Sequence, residues 1–183
     1  MKPVSHRAPG FLNRFWQDRR GVSAVEFALL APVLLILYFG TAEFCQAFMA
    51  QKRLSHVTAQ LADITSQDSV VTVDELSDTL AIAGLIMTPY STTPLLMRIS
   101  GVTRDANGVA KVDWSQGNMT ALAKDAVVTV PAGLIDNGES IILSEATYVY
   151  TSPISSMMKE PITFRRTFYL RPRLVNQITC SNC

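Results

Sequence analysis

The chain has 183 residues, which is enough for one domain and short for two. Hydrophobic residues make up 48% and charged residues 17%, an apolar balance for a soluble domain. The net charge of +1 gives no support for a nucleic-acid partner. The charge is unevenly placed, because residues 1–21 carry five basic side chains and one acidic one: Lys2, Arg7, Arg14, Arg19, Arg20 and Asp18.

An apolar stretch follows this basic leader and runs from Val22 to Ala42, with Glu26 as its only charge. A helix needs about 20 apolar residues to cross the hydrocarbon core of a bilayer. Because no comparable basic cluster follows the stretch, the positive-inside rule predicts a cytoplasmic N-terminus and a C-terminal part beyond the membrane. A cleaved secretory signal, the competing interpretation, has a shorter apolar region and small residues after it.

These observations predict three regions: a cytoplasmic leader over 1–21, a transmembrane helix over 22–43, and a periplasmic domain over 44–183. The helix is expected to continue beyond the membrane to about Ser66, with an amphipathic second half that covers a sheet. A second helix is predicted from Val73 to about Met87, capped by Thr72.

The rest of the chain has the alternation and turn residues of strands, which gives an α+β fold with a small antiparallel sheet. Five strands are expected in hairpin-like order. In the last of them Arg166 falls on the otherwise apolar side. The predicted strands are Leu95–Thr103, Val109–Trp114, Ala126–Val130, Ser140–Tyr150 and Thr163–Leu170.

The most informative segment lies where the leader meets the helix, with Gly21 at the junction and Glu26 five residues beyond it. Glycine suits a peptidase that needs an extended, unhindered backbone at the membrane surface. Cleavage after Gly21 would create a charged amine on Val22. A carboxylate within the membrane is costly without a partner, so Glu26 of one subunit would neutralise the amine of its neighbour and fix the register of helix packing.

This segment resembles the type IV prepilin cleavage signal, and the run from Arg19 to Phe44 is similar to the start of TadE/TadG-like proteins. That family consists of pilin-like proteins of the tight-adherence (Flp) pilus. The resemblance extends loosely to the strand at 141–150 and to Arg-Pro-Arg at 171–173. It implies a pilin-like fold and a cleavage signal formed by Gly21, Val22, Glu26 and Phe27. Flp-type pilins usually have Tyr after the Glu, where this chain has Phe27.

The resemblance implies a minor pilin or pseudopilin with a structural role in pilus assembly, surface attachment and biofilm formation. Its expected partners are inner-membrane lipid, other pilins and pilus assembly proteins, and the prepilin peptidase, with no nucleic acid. One alternative is an uncleaved, membrane-anchored periplasmic scaffold of the same machinery. A second is a membrane-tethered periplasmic enzyme or redox protein.

We find no catalytic motif, and we predict no enzyme activity, no cofactor and no metal site. The two thiols of Cys180 and Cys183 are expected to form a structural disulfide in an oxidising periplasm, either with each other or from one of them to another site. A redox-active pair would normally lie at a helix start. Cys45 is interpreted as a small apolar residue, and Glu43 as a solvated residue at the exit from the bilayer.

Overall fold

The computed structural model describes residues 21–153 and 160–183. The chain divides into two compact units, Met1–Ala42 and Glu43–Cys183. Apart from Gly21, the predicted leader lies outside the described residues. The first unit therefore contributes one described element, the apolar half of the long helix.

The described elements confirm the α+β prediction: a long apolar N-terminal helix, a second short helix and a small antiparallel sheet. The predicted limits of the long helix and of the strand Ser140–Tyr150 match the structure. In chain order the elements are α1 (Val22–Ser66), β1 (Val70–Val71), α2 (Val73–Leu85), β2 (Leu95–Arg104), β3 (Ala110–Gly117), β4 (Ser140–Tyr150), β5 (Ile162–Leu170) and β6 (Thr179–Cys180).

The main sheet has the order β3-β2-β4-β5 with every pair antiparallel. The hairpin-like order is wrong at one step, because β4 pairs with β2 and leaves β3 at an edge. One face of the sheet is covered by the second half of α1, which buries Leu54, Val57 and Leu61 completely. The hydrophobic periodicity beyond the membrane segment is thus explained by packing against the sheet.

A second apolar cluster covers the opposite face of the sheet and corrects the predicted strand Ala126–Val130. This segment forms only an isolated bridge, from Val127 to Lys111. It is bounded by Asp125, whose φ is 62°, and by Pro131, which has no N–H to donate. Ala126, Val128 and Val130 instead pack on the sheet as a cover. The segment also shares backbone hydrogen bonds with Ala110 and Val112 at the edge of β3, but it does not extend into a strand of the sheet.

Thr72 caps helix α2 as predicted, and the structure shows that the cap is a capping box with Glu75. Thr72 Oγ1 accepts from the Glu75 N–H at 3.3 Å, and Glu75 Oε2 accepts from the Thr72 N–H at 2.9 Å. The helix ends at Leu85, two residues before the predicted end. The two side chains thus bind two backbone N–H groups that have no carbonyl partner within the helix, and this defines the first turn of α2.

Two short strands close the second unit in a way that the sequence did not predict. Val70 and Val71 pair in parallel with Thr179 and Cys180. The indole N–H of Trp114 donates to the Ile178 carbonyl at 2.8 Å and holds the same tail against the edge of the main sheet. The indole has room because its cross-strand neighbour is Gly101, where a Cβ would lie 2.5 Å from Trp114 Nε1.

We therefore expect Gly101→Ala to displace the Trp114 indole and weaken its bond to Ile178. Overpacking of this kind typically costs about 1–3 kcal/mol of unfolding free energy. Chemical denaturation should show the loss, and Trp114 fluorescence in a Trp16→Phe background should shift to the red. Gly84→Ala is the matched control, since its Cβ would lie an ordinary 3.9 Å from Thr92 Cγ2. Equal stability of the two variants would contradict the role given to Gly101.

Candidate functional site

The first half of α1 has no apolar partner among the described residues. Helix α1 is long and apolar enough to cross a membrane, and its most apolar segment is not buried at all. Its large side chains are exposed on every side of the helix. In water this surface would be strongly unfavourable, so the helix suggests a membrane anchor.

The structure places the four predicted cleavage residues at the very start of this helix. Gly21 precedes the first α-helical residue, Val22, and a Cβ added at Gly21 would meet nothing within 4 Å. Glu26 lies one helical turn after Val22, and Phe27 is exposed. In the part of the chain that the structure describes, no cation forms an ion pair with Glu26.

The prediction that Glu43 is a solvated residue is wrong. Glu43 is only 3% exposed, and its Oε1 accepts a hydrogen bond from the Tyr150 hydroxyl at 3.1 Å. The spacing Glu43, Ala47, Ala50, Leu54 follows the buried face of α1, so the periodicity contained this signal. The interpretation failed because it used the charge and ignored the position of the residue on the helix.

Aromatic side chains from three other elements gather around this carboxylate. The Tyr90 and Tyr150 rings meet edge to face at 6.4 Å, and Phe164 lies 6.3 Å from Tyr150. The Tyr90 hydroxyl donates to the Gln46 carbonyl at 3.0 Å. Burial, followed by the hydrogen bond to Glu43 and its negative charge, raises the pKa of Tyr150 to about 12. The phenol thus stays protonated and can donate to Glu43 over the whole physiological range.

Three of the arginines near the end of the chain bond to other parts of the fold. Arg166 lies on the helix-facing side of β5, where its Nε donates to Ser55 Oγ at 3.0 Å. Arg171 pairs with Glu139 at 2.9 Å, and Arg173 pairs with Asp63. These cations join β5 and the following tail to other elements, and their charges are largely committed within the fold.

The structure joins Cys180 and Cys183 to each other, with 5.6 Å between their Cα atoms. Between them, Asn182 Oδ1 accepts from the Val73 N–H at 2.9 Å, so this tail also contacts the start of α2. Cys45 is a free, exposed cysteine on α1. Within residues 21–153 and 160–183, no group of three or more His, Cys, Asp or Glu side chains could hold a metal ion.

The bond between Tyr150 and Glu43 can be tested by Tyr150→Phe. This change keeps the ring and leaves a buried carboxylate without its donor, which should cost about 1–3 kcal/mol of unfolding free energy. Tyr148→Phe is the matched control, because Tyr148 is equally buried and shows no hydroxyl hydrogen bond in the described structure. Equal losses in the two variants would show that the bond contributes nothing specific.

The raised pKa of Tyr150 also predicts how stability depends on pH. The pKa of Tyr150 is higher in the folded protein than its unfolded value of 10.0. The protonated phenol therefore stabilises the folded state fully below about pH 10. That contribution is lost as the pH rises from about 10 through about 12. Across this pH range, the free energy of unfolding should fall less steeply in Tyr150→Phe than in the unaltered protein. A titration followed by tyrosinate absorbance should also show one fewer tyrosine that ionises at high pH. Identical pH profiles would contradict the assignment.

Comparison with known proteins agrees with the geometry at the start of the chain. A family model described as TadE-like protein matches residues 21–63, the segment that begins at Gly21 and covers nearly all of α1. No curated protein and no solved structure matches the chain. The family suggests a protein associated with the tight-adherence pilus. Over residues 21–63, this chain is similar to TadE-like proteins.

Proposed function

We propose that the protein is a minor pilin or pseudopilin of the tight-adherence (Flp, type IVb) pilus, with a structural role in pilus assembly and surface attachment. The observation that carries the proposal is the exposed apolar helix that starts directly after Gly21 and is matched by the TadE-like model. The protein is a single-pass inner-membrane protein, with the leader in the cytoplasm and residues 44–183 in the periplasm.

The prepilin peptidase cuts after Gly21. The open space around this glycine and its place before the helix leave its backbone accessible at the membrane surface. Cleavage converts the Val22 nitrogen into an amine one helical turn from Glu26. Side chains of a helix tilt toward its N-terminus, so the Glu26 carboxylate is directed to the level of that amine.

Assembly proceeds by lateral packing of the apolar helices of neighbouring subunits. An unpaired carboxylate costs about 2.5–3.5 kcal/mol at the centre of a membrane helix and less near its end. Pairing Glu26 with the Val22 amine of a neighbouring pilin removes part of this cost and sets the axial register between the helices. The partners are therefore membrane lipid, other pilins or pseudopilins, and pilus assembly proteins.

The periplasmic unit is structural and not catalytic. Two of its polar pairs act within the fold: buried Glu43 binds Tyr150, and partly buried Arg98 binds Glu145 at 2.9 Å. The Cys180–Cys183 disulfide stabilises the tail that pairs with β1. The redox-protein alternative would require this pair to exchange with thiols, and no such exchange is part of the proposal.

N-terminal sequencing of the protein from membranes of its native host tests the cleavage step. We expect a mature chain that begins at Val22 when the peptidase is present and an intact leader in a peptidase-deficient strain. Gly21→Val should block processing, because a β-branched residue hinders the extended backbone at the cut site. Gly40→Val is the matched control, since a Cβ at Gly40 also meets nothing within 4 Å.

A leader retained in both strains would overturn the pilin mechanism and favour the uncleaved scaffold, for which the departure at Phe27 is the one sequence argument. Processing that is equally weak in the two glycine variants would show a general effect on the membrane helix. Only selective failure of Gly21→Val, together with the dependence on the peptidase, supports the proposed cut.

Glu26→Gln tests the assembly step separately. Cleavage should proceed, but the neutral amide cannot pair with a charged amine. We expect the ratio of protein in sheared pili to protein in the membrane fraction to fall at least about tenfold relative to the unaltered chain. A tenfold fall corresponds to about 1.4 kcal/mol. Asp68→Asn, an exposed carboxylate beyond α1, is the control and should not change this ratio. An unchanged ratio for Glu26→Gln would remove the role of the ion pair.

A further inference from the structure

The outward face of α1 stays apolar after the helix has entered the second unit. Phe44, Phe48 and Met49 are 69%, 46% and 48% exposed, although the opposite face of the same turns is buried in the core. The Phe44 and Phe48 rings stack with 6.4 Å between their centroids. Together with Lys52, these three residues form what we call the outward stripe. Within the described residues nothing covers it.

The outward stripe ends in a cation and then becomes polar. Lys52 Nζ lies 5.3 Å from the centre of the Phe48 ring, and exposed His56 and Gln60 follow on the same face. A lysine that lies along an aromatic ring keeps its aliphatic part on apolar surface and its ammonium group at the polar boundary. The order along the face is therefore apolar, cationic and then polar.

Aromatic residues also lie on the other side of this part of α1. Tyr90 and Tyr150 bond to Gln46 and Glu43, while Phe44 and Phe48 occupy the outward face. A partner helix would contact one side of α1 and would explain aromatic residues on that side only. Tyr150 is buried in the core, but partly exposed Tyr90 lies at the same level as exposed Phe44 and Phe48 on another side of the helix, as in the aromatic belts of membrane proteins.

The lengths agree with such a boundary. The apolar segment before Glu43, residues 22–42, spans about 32 Å at 1.5 Å per residue, close to the hydrocarbon thickness of about 30 Å. The headgroup zone adds roughly 5–8 Å on each side, and the helical rise from Phe44 to Phe48 is about 6 Å.

We propose that the outward stripe docks in the headgroup layer of the membrane, with Phe44, Phe48 and Met49 at the acyl boundary and Lys52 on lipid phosphates. This inference rests on the membrane anchoring in the proposed function, but it does not depend on cleavage or on pilus assembly. Docking fixes the depth of this part of α1 in the headgroup layer.

Cys45 is exposed next to Phe44 of the outward stripe and is the one cysteine outside the Cys180–Cys183 pair, so it provides a probe without mutation. The full chain, spin-labelled at Cys45 without reductant, is reconstituted in vesicles of phosphatidylethanolamine and phosphatidylglycerol. Collision rates with oxygen, which partitions into lipid, are compared with those of a water-soluble nickel chelate. The control is Gln60→Cys in a Cys45→Ser background, which places the label on the polar end of the same face.

We expect the Cys45 label to prefer oxygen and the control label to prefer nickel. The double variant Phe44→Ser/Phe48→Ser should lose the oxygen preference at Cys45, whereas Val127→Ser, at an exposed valine of the sheet cover, should not. Nickel preference at Cys45 in the unaltered chain would overturn the proposal. Low access to both reagents, relieved by dilution of the chain with excess lipid, would also overturn it in favour of a second copy.

Neither overturning result bears on cleavage at Gly21, which N-terminal sequencing measures independently. An uncleaved protein whose Cys45 label prefers oxygen would refute the pilin mechanism and leave the docking surface intact. The two proposals are thus separable.

Discussion

The packing of one face of α1 on the main sheet is the interaction on which the second unit depends. Leu54, Val57 and Leu61 come from a helix whose first half is exposed and apolar, so a single continuous element serves two environments. The first half of the helix is apolar on all sides and needs apolar surroundings on all sides. The second half needs an apolar partner along one face only. The transition occurs at Glu43, where the helix gains a buried face without interrupting its backbone hydrogen bonds.

Much of this architecture could be predicted because strong periodic signals determine it. Both limits of α1, the cap at Thr72 and all of β4 followed from hydrophobic spacing and capping chemistry. The cleavage residues Gly21 and Glu26 could be named for a similar reason, since a lone glycine and a lone carboxylate at the edge of an apolar run are conspicuous. What they do in assembly remains a prediction.

The errors arise from residues that interrupt a strand and from contacts between distant segments. Ala126–Val130 has the alternation of a strand, but neighbouring Asp125 and Pro131 leave it as a cover on the sheet. Glu43 obtains its donor from Tyr150, which is 107 residues away, so no local pattern reveals the pair. The parallel pairing of β1 with β6 joins segments of two residues each, and such segments are too short to show the alternation of a strand.

That last pairing has a consequence for how the protein reaches its folded state. Trp114, Val71 and Val73 each bond to a partner between Ile178 and Asn182. In the proposed topology, the core is therefore completed only after those residues have crossed the membrane. Until then the unit would expose the edge of β3 and the apolar surface beneath the tail. Export and folding would be coupled in time in that topology, and a secretion apparatus that stalled late would hold an aggregation-prone intermediate.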